Sequence, residues 1–93
     1  MKLTTTVTGD MTSRKVKINN LSIKLVDLGN DIWKSTDEID VVDGSPVEFR
    51  CKGANGSDWT IEIKREGIKE PLYSDSGTIE DSYVIKPGNI KIK

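Results

Sequence analysis

Ninety-three residues suffice for one domain, 1–93, and a chain this short buries only about 60–65% of the surface its unfolded form exposes, so its core is thin. Fourteen bases against 15 acids leave a net charge of −1, which supplies no overall field toward nucleic acid or anionic lipid. Histidine is absent, and with it go His-based general catalysis, the Ser-His-Asp and Cys-His arrangements and the usual His-containing zinc sites. There are 11 Ile, 7 Val and 8 Thr against one Ala and no Gln; β-branched residues suit a pleated, half-buried surface and strong helix formers are scarce.

The apolar positions follow a period of two almost throughout. Leu3, Thr5 and Val7 share one face of a first strand. Val16 to Ile23 reads as a hairpin: with Asn19-Asn20 as a two-residue loop, Ile18 faces Leu21 and Val16 faces Ile23, and Asn tolerates the positive φ of a type I′ turn. Leu25 extends the second arm until Asp27-Leu28-Gly29-Asn30-Asp31 breaks it. Ser35-Thr36-Asp37-Glu38 has the Ser-x-x-Glu spacing of a capping box, which predicts a helical turn near Ser35–Asp40.

Asp43-Gly44-Ser45-Pro46 is a turn that opens a clean strand, with Val47, Phe49 and Cys51 inward and Glu48, Arg50 and Lys52 outward. Gly53 to Ser57 is a loop. A second clean strand follows, with Trp59, Ile61 and Ile63 inward against Thr60, Glu62 and Lys64. Glu66-Gly67 turns the chain, and Pro71 keeps the segment around Leu72 and Tyr73 at a sheet edge. Tyr83 and Ile85 are in phase with Ile92 and Ile90 across Lys86-Pro87-Gly88-Asn89. That corner either closes a hairpin or carries the chain between sheets, because Pro-Gly favours a type II turn. About seven to nine short strands at such spacing predict an all-β fold, a small antiparallel β-sandwich. The expected core is Leu3, Val7, Val16, Ile18, Leu21, Ile23, Leu25, Val47, Phe49, Cys51, Trp59, Ile61, Ile63, Tyr83, Ile85, Ile90 and Ile92.

Six acids (Asp27, Asp31, Asp37, Glu38, Asp40 and Asp43) crowd a stretch opposed only by Lys34. Without an Asp-x-Asp-x-Asp-Gly calcium loop they read as a solvated acidic edge rather than a cation site. The hairpin alternation puts Lys15, Lys17 and Lys24 on its outer face, and Lys86, Lys91 and Lys93 extend the basic character near the C-terminus. Such bases keep edge strands from aggregating or steer a charged partner. Aromatic interleaving, which single-stranded nucleic acid needs, is missing from these strands. Cys51, in phase with Val47 and Phe49, is a buried small hydrophobe rather than a nucleophile. Alone, it forms no internal disulfide, which agrees with a reducing compartment. Asn55-Gly56-Ser57 matches the glycosylation triplet, which carries weight only in a secreted chain.

Trp59 follows the strand phase into the core. Trp33 stands where the phase is lost, so it is either a contact for a partner, sugar or membrane interface, or a plug for one end of the sandwich.

Val16-Lys17-Ile18-Asn19-Asn20-Leu21 is similar to the early basic strand and turn of the aegerolysins, small β-sandwich proteins that bind membrane lipids. Gly29-Asn30-Asp31 with Asp37-Glu38-Ile39 resembles their acidic loop. Gly44 to Lys52-Gly53, including Cys51, resembles their central strand, and Trp59 to Tyr73 follows at a comparable distance. The resemblance is one of order and spacing over most of the chain, and it implies a β-sandwich. Their early Trp-Gly-Lys-Phe and later Trp-Asp-Cys-Pro-Trp patterns have no counterpart, and those are the aromatics expected at a lipid surface.

These readings point to a protein that is not an enzyme and takes no cofactor: there is no nucleophile with a base, no phosphate-cradling loop and no metal constellation. The expected function is a non-catalytic binding protein that docks on another protein or serves as a module of a larger assembly. Membrane-lipid binding is the alternative and nucleic acid is excluded. The candidate partner contacts are Trp33, Lys15, Lys17, Lys24, Asp31 and Asp37. Met1 to Thr6 lacks the apolar core of a signal peptide, so a cytoplasmic location is expected, with a secreted mature chain as the alternative.

Overall fold

Side chains on a strand point alternately to opposite faces, and here that alternation lays two antiparallel sheets over one core. The computed structural model describes residues 1–92; Lys93, one of the bases noted near the C-terminus, lies outside the described residues. The strands are β1 (Lys2–Gly9), β2 (Ser13–Ile18), β3 (Leu21–Ile23), β4 (Val26–Asp27), β5 (Ile32–Glu38), β6 (Pro46–Lys52), β7 (Asp58–Arg65), β8 (Pro71–Thr78) and β9 (Tyr83–Asn89). One sheet has the order β4-β5-β1-β7-β8 and the other β3-β2-β6-β9.

The core is made where the inward rows meet. Leu3, Thr5 and Val7 of β1 and Trp59, Ile61 and Ile63 of β7 are buried on one sheet; Val16 and Ile18 of β2 and Val47, Phe49 and Cys51 of β6 are buried on the other. Phe49 and Trp59 cross the interior with ring centroids 5.2 Å apart at 39°. Trp59 reaches its full depth because Gly77 lies beside it: a Cβ on that glycine would stand 2.9 Å from the indole ring.

The Val16–Ile23 hairpin has the expected register, Val16↔Ile23 and Ile18↔Leu21, and Asn19 and Asn20 take φ of 52° and 65°, the left-handed pair a type I′ turn requires. Leu21 nonetheless stays 51% exposed, because β3 is a short edge strand with no neighbour beyond it. Ser45 builds the turn before β6: its N–H donates to the Val42 carbonyl at 3.0 Å and its hydroxyl accepts the Val42 N–H at 2.9 Å.

Three expectations are corrected. No helical turn forms over Ser35–Asp40; Ser35 to Glu38 belong to β5, paired with β1 as Thr5↔Ser35 and Leu3↔Asp37, and Ile39 and Asp40 follow it without helix. A capping box offers a few local hydrogen bonds, and the ladder to β1 supplies more along the whole strand. The chain also does not turn at Lys86-Pro87-Gly88-Asn89. β9 runs through it against β6, Pro87 opposite Glu48, and proline is tolerated because β9 is an edge strand. Finally, that pairing reverses the phase expected for β9. Val84 faces Cys51 and is buried, while Tyr83 and Ile85 face outward at 39% and 51% exposure. Leu25 and Ile92, also expected in the core, pack against it only half-buried, whereas Met11, Ile39, Leu72 and Ile79 join it.

The edges are blunted against further pairing. β3 and β4 have three and two residues, β9 carries Pro87, and in β8 the Asp75 carboxylate accepts the Ser76 N–H at 2.8 Å.

Candidate functional site

Outward positions of β2 and β6 alternate with the core rows, so the fold brings their charged residues onto one surface. Across the outer face of the four-stranded sheet, one row runs Ser22–Lys17–Glu48–Pro87 and the next Lys15–Arg50–Ile85; a third runs Ser13–Lys52–Tyr83. The face therefore holds four bases, Lys15, Lys17, Arg50 and Lys52, against one acid, Glu48, with Tyr83, Ile85 and Pro87 along its β9 border. Lys24 directly follows β3, exposed and in the phase of Ser22.

Glu48 is committed to Arg50, whose Nε donates to its carboxylate, and this bond holds the guanidinium charge more firmly than usual. Lys52 Nζ stands 5.7 Å from the Tyr83 ring centroid. Among the described residues, Lys15, Lys17 and Lys52 have no acidic partner within ion-pair distance. Lys15, Lys17, Glu48 and Arg50 line a dimple of about 50 Å³, and a shallower depression of about 320 Å³ adjoins it between Lys15, Lys52 and Tyr83.

The structure thus unites Lys15, Lys17 and Lys24 and separates the other three candidates from them. Trp33 is corrected as a surface contact: it is 8% exposed, faces inward opposite Val7, and plugs one side of the sandwich. The Arg14 guanidinium covers its ring at 3.7 Å from the centroid, a cation–π contact, and Arg14 Nη2 donates to the Met11 carbonyl at 3.1 Å. Asp31 is exposed in the turn before β5, at φ 59°, where Asp serves the backbone. Asp37 is half-buried on the inward side of β5 and accepts the Ser35 hydroxyl at 2.6 Å. Those two acids flank β5 at opposite ends, so they form no common site.

Arg50, Lys52, Tyr83 and Ile85 were not among the sequence candidates. The outward phase of Arg50 and Lys52 was readable, but their adjacency to Lys15 and Lys17 depends on the β2–β6 pairing. Cys51 faces the interior at 1% exposure, and burial pushes its thiol up, so it is poorly nucleophilic. Among the described residues no three of His, Cys, Asp and Glu gather closely enough to hold a metal ion. No family model, no curated protein and no solved structure matches the chain.

Proposed function

We propose that this chain is a non-catalytic binding protein that docks on another protein, or on its neighbours in a larger assembly, through the outer face of the four-stranded sheet. The observation that carries this reading is the unbalanced charge of that face beside exposed Tyr83 and Ile85. Bases free of internal partners steer association and select among partners. Arginine and aromatic side chains supply the contact energy once water is excluded.

The test places a photo-crosslinking residue at Lys17, on the proposed face, or at Thr6, on the opposite face, and exposes each variant to extract from the native host. A defined adduct from position 17 and none from position 6 is the expected result. Adducts from position 6 alone, or from neither, overturn the reading.

A further inference from the structure

The docking face has a geometry as well as a sign. Alternate residues on a strand lie about 6.7 Å apart and neighbouring strands about 4.8 Å apart. Lys15 and Lys17 on β2, with Arg50 and Lys52 on β6, accordingly form a small grid of positive charge whose long spacing is the strand repeat itself. An extended peptide has the same repeat. Acids at its alternate positions arrive at the spacing of Lys15 and Lys17, and those two lysines have no acidic partner among the described residues.

From this we infer that the partner presents an extended, acidic segment of polypeptide whose alternating carboxylates lie over Lys15, Lys17 and Lys52, with an apolar side chain against Ile85 and Pro87. The inference rests on the docking reading above and names the partner's chemistry. Two features favour a peptide over a uniform polyanion. Glu48 interrupts the positive field between Lys17 and Arg50, which discrete carboxylates can straddle and a continuous phosphate backbone cannot avoid. The β9 border is apolar, and its one aromatic, Tyr83, already has Lys52 near its ring, so stacking platforms for bases are lacking.

The test is a titration of the isotope-labelled 93-residue chain, followed by amide chemical shifts. The probes are a short peptide alternating Glu and Ser with one Leu, the same peptide with Lys for Glu, a single-stranded oligonucleotide, and anionic phosphatidylserine vesicles. The acidic peptide is expected to move amides of β2, β6 and β9, to weaken about tenfold or more on raising salt to about 0.5 M, and to lose about tenfold in affinity in the Lys15→Glu/Lys17→Glu variant. Both lysines point away from the core, and an unchanged circular dichroism spectrum establishes that the variant is folded.

No shifts with the acidic peptide, tighter binding of the oligonucleotide or vesicles, or self-association through this face in sedimentation equilibrium each overturn the inference. If position 17 still crosslinks a partner while the peptide fails, the docking face stands and the acidic-segment assignment falls. If position 17 captures nothing, the docking reading itself fails.

Discussion

The two outer faces of the sandwich are built by the same alternation and differ in how their polar groups are used. On the five-stranded sheet, Thr4, Thr6, Thr8, Thr36, Thr60, Ser74, Ser76 and Thr78 point outward, and three bases (Lys2, Lys34, Lys64) accompany three acids (Glu38, Asp58, Glu62). Many of these groups satisfy one another: Thr4 and Thr36 hydroxyls meet at 3.0 Å, Thr8 bonds Thr60, Thr78 donates to Asp58 at 2.9 Å, and Lys64 lies 3.2 Å from Glu62. On the four-stranded sheet, one acid stands among four bases and most of the charge is unanswered. The five-stranded face leaves Lys34 beside exposed Val26 but answers most of its other polar groups internally, whereas the four-stranded face gathers several unanswered bases beside Tyr83 and Ile85.

The largest effect expected from breaking this arrangement lies beneath both faces. Trp33→Ala should cost on the order of 3–5 kcal/mol in urea unfolding through the cavity it leaves. Its fluorescence should not shift blue on adding liposomes. A blue shift, with vesicle binding abolished and stability kept in the variant, would revive the lipid-binding alternative.

Next comes the charge asymmetry itself. With the crosslinking residue moved to Ser22 of the same outer row, Lys15→Glu/Lys17→Glu should remove crosslinking from the four-stranded face while stability changes by no more than about 0.5 kcal/mol per site, the usual range for surface substitutions. The matching double change on the other face, Lys34→Glu/Lys64→Glu, should leave partner capture as it was. Equal losses from both variants would mean that net charge, rather than the face, governs binding.

The smallest effect concerns the join between the two sheets. Tyr73 of β8 packs its ring where a side chain on Gly88 of β9 would stand. Burial, reinforced by the nearby Asp75 carboxylate, pushes its phenol up from the ordinary value near 10. The folded state thus favours the neutral phenol, so this contribution is complete below the ordinary value and is lost as pH rises above it. Denaturant midpoints should decline in that alkaline range, and Tyr73→Phe should reduce the decline. An unchanged slope in the variant would show that the phenol does not titrate with unfolding.

Much of this molecule was legible residue by residue. The all-β class, the Asn19-Asn20 hairpin and the inward rows of β6 and β7 follow from uninterrupted period-two alternation and from turn residues that tolerate positive φ, both of which are local properties. Even the outward phase of Lys15, Lys17, Arg50 and Lys52 was contained in their own strands. Tertiary structure alone decided that Ser35–Glu38 extends rather than coils, because β1 pairs with it along its length. The same pairing turned Trp33 from a possible contact into a core plug. Pairing with β6 set β9 one residue out of its expected phase, exposing Tyr83 and Ile85, and the β2–β6 pairing made two separate pairs of bases one face. In each case the deciding hydrogen bonds join residues far apart in the chain, and register across a sheet is a property of two strands that neither one's sequence contains.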